Sequence, residues 1–242
     1  MSLSKNQTKL INLLNQKKYR NKQQLFVAEG IKIVQELIKS SIELEMLFVT
    51  NTVSDLFKDN PFQKITENDL KKISSLKSPN HVLAIFKIPL PKKIKTEGIT
   101  VALDDINDPG NLGTIIRLCD WFGIQQLICS KNTVDCYNSK VVQASMGSLA
   151  RVQINYVDLK NFLQTVELPI YTADIEGENV YKTCLPERAV LIMGNEANGI
   201  RTEIQKLGSH QITIPKSKKN KTAESLNVAT ATAILLSEFN RP

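Results

Sequence analysis

The sequence predicts an α/β protein: a mostly parallel sheet covered by helices, preceded by a second, smaller α/β unit. Three observations carry this reading. Short apolar runs alternate with segments of helical periodicity from residue 25 to the C-terminus. In the later part, turn clusters rich in Gly, Pro and Asn follow the apolar runs. Between the two parts, Pro89, Leu90, Pro91, Lys92, Lys93, Ile94 and Lys95 form a stretch without hydrophobic periodicity, which reads as a linker. The expected organisation is a first unit over residues 1–90, a linker over 91–98 and a second unit over 99–242.

The first unit reads as helix, helix, strand and helix: residues 8–16 are a short amphipathic stretch, and residues 25–29 form an extended run that Gly30 breaks. Residues 31–38 place Ile31, Val34, Leu37 and Ile38 on one helical face. Residues 44–50 and 82–88 are compact apolar strand candidates. Thr66 caps a helix, with Asp69 three residues on in place of the usual Glu or Gln. In the second unit, strands are expected over 99–103, 126–129, 170–173, 189–193 and 211–214. Helices are expected over 112–122, 139–147, 159–166 and 226–239. A parallel sheet of this kind binds ligands beyond the carboxyl ends of its strands, where the loops gather.

Composition removes several classes. The chain has 242 residues, 42% apolar and 23% charged, enough for a core and unlike disordered or collagenous sequences. No window approaches about 18 uncharged apolar residues, so no membrane span is expected. The lysine-rich N-terminus lacks the apolar core of a signal peptide. Cys119, Cys129, Cys136 and Cys184 form no CxxC pair, and His81 and His210 are far apart. No metal is expected, and a reducing cytoplasm is the simplest setting.

The net charge of +7 is unevenly spread. Residues 1–98 hold 17 Lys and Arg against 9 Asp and Glu, whereas residues 99–242 hold 14 against 15. The first 22 residues contain six basic side chains and no acidic one. This asymmetry points to a polyanion partner, nucleic acid first, for the N-terminal unit. A lysine-rich solvated surface is the plainer alternative.

Three turn clusters are the chemical candidates. Asn107-Asp108-Pro109-Gly110-Asn111-Leu112-Gly113 follows the strand at 99–103 and lacks the GxGxxG spacing of a dinucleotide site. Asn111 is the expected cap of the next helix. Leu112, Ile115, Ile116 and Cys119 form that helix's buried stripe, and Arg117 points away from it. Met193-Gly194-Asn195-Glu196-Ala197-Asn198-Gly199 permits close backbone approach and sets Glu196 at the mouth of the sheet. In the third cluster, Ile214-Pro215 and a basic loop precede Ser225-Leu226-Asn227. Ser225 is the expected cap of a helix apolar on nearly all sides, which needs covering twice. A second copy of the chain covers it most economically; burial in the chain's own core is the alternative.

Taken together and in this order, the three clusters resemble the motifs of SpoU/TrmH-type RNA ribose 2′-O-methyltransferases of the SPOUT superfamily. The matches are Asn111 through Arg117, Gly194 through Gly199, and Ile214-Pro215 with Ser225-Leu226-Asn227. The resemblance spans residues 99–242 and includes Val141 through Ser148. Phe26-Val27-Ala28-Glu29-Gly30 resembles the L30e-like substrate-binding domain often joined to these enzymes.

The resemblance implies a deep trefoil knot near the C-terminus, a homodimer, and S-adenosylmethionine held by backbone groups around Thr172, Gly194, Ile214 and Leu226. It implies transfer of a methyl group to a ribose 2′-hydroxyl of structured RNA, with 23S ribosomal RNA favoured over transfer RNA by the attached domain. Arg117 matches the arginine assigned as base in the family. Because arginine stays protonated near neutrality, positioning a phosphate and supplying charge is the preferred role, with base catalysis the alternative. Asn111, Glu196, Ser225 and Asn227 would complete the site.

One departure is the long link Lys216-Ser217-Lys218-Lys219-Asn220-Lys221-Thr222-Ala223-Glu224, whose four lysines suit a phosphate contact or a plain surface loop. Two other classes compete. A non-catalytic RNA-binding protein could retain the fold, and an enzyme with another nucleotide cofactor is disfavoured by the missing phosphate-loop patterns.

Overall fold

The computed structural model describes residues 3–217 and 224–241. The chain divides into two compact units, Met1–Leu90 with Asp135–Arg151, and Pro91–Val134 with Val152–Pro242.

The first unit contains α1 (Lys5–Leu14), α2 (Lys17–Gln23), β1 (Leu25–Glu29), α3 (Ile31–Ile38), β2 (Leu44–Thr50), β3 (Gln63–Ile65), α4 (Glu67–Ile73) and β4 (Val82–Lys87). Its four strands lie in the order β1-β4-β2-β3, with only β2 and β3 parallel. Ile11 and Leu14 of α1 pack with Val27, Phe48, Leu70, Leu83 and Ile85 in its core. As expected, the Thr66 hydroxyl accepts from the Asp69 amide at the start of α4, 3.1 Å.

The two helices expected before the first strand are α1 and α2, and the amphipathic stretch at 8–16 overlaps α1 and the turn after it. Ser4 and Gln7 close a capping box at the start of α1, and α2 begins after a turn at Asn15-Gln16. Arg20 explains the break. Its Nη1 donates to the carbonyls of Leu14 and Asn15, each at 2.9 Å, satisfying orphan acceptors at the end of α1. Its Nε and Nη2 grip Asp135 Oδ2 at 2.9 and 2.5 Å, and the side chain is 2% exposed. One of the six N-terminal cations is therefore consumed inside the unit.

The segment Asp135–Arg151 reaches this unit through contacts that sequence periodicity does not encode. Tyr137 tilts against Phe26 at 4.8 Å, and burial pushes its phenol well above the usual range. The helix of this segment, α6 (Ser139–Ser145), packs on β1. Arg151 pairs with Glu36 at 2.8 Å. Gly147 sits at φ +93°, where a Cβ would fall 2.6 Å from that of Glu36. Only glycine permits both the turn and the approach.

The second unit contains β5 (Ile99–Asp104), α5 (Pro109–Trp121), β6 (Gln126–Ser130), β7 (Gln153–Val157), α7 (Leu159–Thr165), β8 (Ile170–Asn179), β9 (Ala189–Gly194), α8 (Thr202–Gln205), β10 (His210–Thr213) and α9 (Val228–Phe239). Its six strands are all parallel, in the order β10-β8-β9-β5-β6-β7. Val101, Ala102 and Leu103 on β5 and Val190 to Ile192 on β9 are 0% exposed, because helices cover both faces. The chain runs outward from β5 to β7, then crosses to β8, so β5 and β9 flank the point where strand order reverses. Loops after two such strands enclose a crevice.

Residues 91–98, expected as a linker, contribute to this unit's edge. The Lys92 carbonyl accepts from Gln153 and Asn155, and the Lys95 amide donates to Gln126. β8 runs past the expected Ala173 through an irregularity: Gln211 pairs with Thr172, whereas Ile212 pairs with Glu178. On α9, Val228, Ala229, Thr232, Leu235, Leu236 and Phe239 are buried within the chain, while Ala231, Ala233 and Ile234 remain half-buried. Among the described residues, no helix is long and apolar enough to cross a membrane, and no three His, Cys, Asp or Glu side chains gather as a metal site would need. No disulfide joins the four cysteines, and burial pushes the Cys119 thiol up to about 12.

Candidate active site

The site is built where β5 and β9 end side by side, with Asp104 opposite Gly194 in the ladder. After β5, Asp108 caps α5 by accepting from the Asn111 amide at 2.8 Å, and Pro109 fills the first helical position. The expected cap, Asn111, lies one turn inside the helix. Its backbone takes the cap bond and its side chain is left to face the loop after β9. There Asn111 Nδ2 donates to Glu196 Oε1 at 2.5 Å.

A second correction concerns the start of α9. Asn227, not Ser225, is the cap: its Oδ1 accepts from the amides of Ala229 and Thr230 at 2.9 and 3.2 Å. The other side of the same amide, Nδ2, donates to Asn111 Oδ1 at 2.9 Å. One asparagine thus fixes its own helix and joins it to α5. Ser225 is exposed, two residues before the cap.

Three segments separated by 85 and 116 residues in sequence are tied into one hydrogen-bonded set, Glu196–Asn111–Asn227. It borders a cavity of about 710 Å³ whose wall also includes Asp108, Asn195 and Asn198. Five asparagines and two carboxylates line it, with no cation among the described residues. Amides and carboxylates match neutral hydroxyls and amide-like edges, and the carboxylates repel phosphate. Arg117 is exposed, six residues beyond Asn111 and about 9 Å along the α5 axis. It takes no part in the hydrogen-bonded set and does not line the cavity.

The loop that carries Glu196 is tied at both ends. Asn195 Nδ2 donates to the Asp105 carbonyl at 2.7 Å, and Asn195 Oδ1 accepts from the amides of Ala197 and Asn198. At its far end Arg201 grips Asp104, which is fully buried: Nε and Nη2 reach Oδ1 at 2.9 and 2.7 Å, and the Arg201 amide reaches Oδ2 at 2.9 Å. The hydrogen bond to Asp104 holds the Arg201 guanidinium above its ordinary pKa. Sequence patterning did not reveal this fork. Its one signal was the Asp104-Asp105 pair at a strand end, with neither residue in a cap position.

Gly194 serves the loop's own return. A Cβ there would lie 2.4 Å from Gly199 C and from Ile200 N. Thr172 is buried on β8, between β9 and β10, with its hydroxyl turned to the His210 carbonyl at 3.3 Å. Ile214 is half-buried just past β10, and Leu226 is 50% exposed just before Asn227. Exposed Ile175 joins this surface through its carbonyl, which accepts from Thr213 Oγ1 at 3.0 Å. Ile214 and Leu226 thus present apolar side chains near strand-end main chain, chemistry that matches the face and polar edge of a flat base. In the lysine-rich link, Lys216 Nζ donates to the Glu224 carbonyl at 2.7 Å; residues 218–223 lie outside the described residues.

Comparison with known proteins gives this geometry a family. The model of the SpoU rRNA methylase family matches residues 98–237, and that of an MRM3-like substrate-binding domain matches residues 5–84. The chain is 29% identical to the 23S rRNA (guanosine(2553)-2′-O)-methyltransferase RlmP of Bacillus subtilis, covering 92% of this chain and 91% of that one. A TrmH-family protein from Porphyromonas gingivalis superposes with a TM-score of 0.90 at 38% identity, covering 99% of this chain and 98% of that one. The AdoMet-bound rRNA methyltransferase from Sinorhizobium meliloti superposes with a TM-score of 0.87 at 27% identity, covering 100% and 97%. The family match takes in every residue of the Glu196–Asn111–Asn227 set, and the chain belongs to the SpoU rRNA methylase family.

Proposed function

We propose that the chain transfers the methyl group of S-adenosylmethionine to a ribose 2′-hydroxyl of 23S ribosomal RNA. The observation that carries the reading is the Glu196–Asn111–Asn227 set, which lines a cavity suited to a sugar and not to a phosphate. RlmP, similar along nearly its whole length, supports ribosomal RNA as the substrate. When bound, S-adenosylmethionine supplies a methyl carbon made electrophilic by its sulfonium. Main chain around Thr172 and Gly194, with the apolar faces of Ile214 and Leu226, would hold it. Glu196, Asn111 and Asn227 orient the ribose hydroxyls, so that much of the acceleration comes from alignment. Arg117 holds the neighbouring phosphate in a two-pronged grip and stabilises charge.

The remaining assignments belong to the same proposal. Residues 1–90 form the RNA-binding domain, residues 99–242 carry catalysis, and the strand ends are threaded as the family's knot. Two copies associate through the half-covered face of α9, and the enzyme works in the cytoplasm.

Binding to RNA as a function of salt tests the polyanion part. Lys5, Lys9, Lys17, Lys18 and Lys22 are exposed, whereas Arg20 is held inside by Asp135. Replacing the five lysines by alanine is expected to weaken binding. The slope of log affinity against log salt should flatten by about 0.7–0.9 for each phosphate that is no longer neutralised. Deleting residues 1–90 would be a poorer test, because it strips Tyr137 and Asp135 of their partners. An unchanged slope in the five-fold variant removes this surface from the RNA interface.

A further inference from the structure

Asp105 is a non-glycine residue in the left-handed region, φ +58°, immediately after β5. Such backbone is disfavoured for a residue with a side chain and persists where surrounding contacts enforce it. Here Ser130, the last residue of β6, enforces it from both sides. The Asp105 amide donates to Ser130 Oγ at 2.9 Å, and Ser130 Oγ donates to Asp105 Oδ1 at 2.6 Å. The Asn132 side-chain amide reaches the other carboxylate oxygen at 3.4 Å, and the Thr133 hydroxyl backs Ser130 at 3.1 Å.

This conformation turns the Asp105 carbonyl toward the neighbouring loop, where it accepts from Asn195 Nδ2 at 2.7 Å. Asn195 in turn folds the residues that present Glu196, through its Oδ1 bonds to Ala197 and Asn198 and its paired main-chain bonds with Gly199. A continuous path thus runs from Ser130 through Asp105 and Asn195 to Glu196, and from there to Asn111 and Asn227. Neither Ser130 nor Asp105 belongs to the motif residues, and neither lines the cavity.

We propose that Asp105, locked by Ser130, is a positioning residue for methyl transfer: its strained backbone aims the carbonyl that anchors Asn195 and so fixes where Glu196 stands. The inference rests on the proposed function above, since Glu196 must face the ribose for its placement to matter. Ser130 and Asp105 act on the RNA side of the site and leave the surface around Ile214 and Leu226 alone.

The test is steady-state methylation of unmodified ribosomal RNA by the full-length protein, with S-adenosylmethionine affinity by calorimetry and thermal melting alongside. Asp105→Ala removes the carboxylate and disfavours the left-handed backbone. It is expected to lower kcat about 10²-fold, the effect of a displacement near 1 Å, with cofactor affinity unchanged. Asp105→Asn keeps an acceptor for Ser130 and tolerates the same φ, so it should restore most of the loss. Asp105→Gly allows the conformation without enforcing it and should fall between the two. If the wild type methylates RNA and Asp105→Ala matches it, the inference is overturned. It is equally overturned if Asp105→Ala loses cofactor binding and folding together and Asp105→Asn fails to rescue it. A wild type that methylates no RNA overturns the underlying reading instead.

Discussion

Replacing Arg117 by alanine is expected to reduce methyl transfer about 10²–10³-fold, the cost of removing one aligned charge-stabilising donor. S-adenosylmethionine affinity and folding should stay nearly unchanged. The structure separates these effects. Leu112, Ile115, Ile116 and Cys119 bury one side of α5, and Arg117 lies on the exposed side. A surface substitution of this kind changes stability by about 0.5 kcal/mol or less. The apolar surface assigned to the cofactor, around Ile214 and Leu226, lies on other elements. Arg117→Lys distinguishes the two chemical roles: a point charge restores activity if field alone matters and fails if a planar fork grips phosphate. Equal loss of cofactor affinity and turnover in Arg117→Ala would remove the residue from the RNA side of the site.

The second large effect is expected from Gly194→Ala. Its new methyl would stand 2.4 Å from the main chain at Gly199 and Ile200, and neither atom can move without unseating the loop. Overpacking against backbone costs roughly 1–3 kcal/mol, and the loop that yields carries Asn195 and Glu196. Activity should fall by about 10²-fold or more through misplacement of Glu196, accompanied by a lower melting temperature. Gly199→Asn is the matched control. Gly199 sits at φ +66° with nothing within 4 Å of a Cβ, and asparagine tolerates that backbone. It should stay close to wild type. If Gly194→Ala melts and turns over like the wild type, the tight loop return is not what fixes Glu196. The same geometry makes a bulky residue at position 194 a poor probe of cofactor binding, since it would dismantle the loop before it blocked a ligand.

Much of the fold was legible because local pattern and tertiary packing agree. The runs at residues 25–29, 31–38 and 44–50 form β1, α3 and β2 with those bounds. β7 escaped because Gln153 and Asn155 interrupt its apolar pattern at a half-exposed sheet edge, and β3 has only three residues. Both misassigned caps have one cause. Asp108 competes with Asn111, and Asn227 with Ser225, and propensity ranks all four as good caps. Pro109, fit for the first helical position, was the available signal for Asp108. The union of Asp135–Arg151 with the first 90 residues rests on Arg20–Asp135, Phe26–Tyr137 and Gly147 against Glu36, contacts spanning more than 100 residues that no periodicity records.

The site divides in the same way. Asn111, Glu196 and Asn227 were singled out by their motifs, and the structure brings them together. Arg117, Ser225, Thr172, Ile214 and Leu226 take no part in the hydrogen bonds of that set and do not line the cavity. What supports the set was hidden: the Asp104–Arg201 fork and the Ser130–Asp105–Asn195 path join residues whose types are ordinary and whose partners are fixed only by the parallel register of β5, β6 and β9.

The most direct test is to map ribose methylation in 23S ribosomal RNA lacking modifications, after incubation with S-adenosylmethionine and either the wild-type protein or Arg117→Ala. The expected result is one nucleotide that becomes resistant to alkaline cleavage at its 3′ side with the wild type and remains sensitive with the variant. A methyl group on a base, or no transfer to this RNA by a wild type that binds the cofactor, would contradict it.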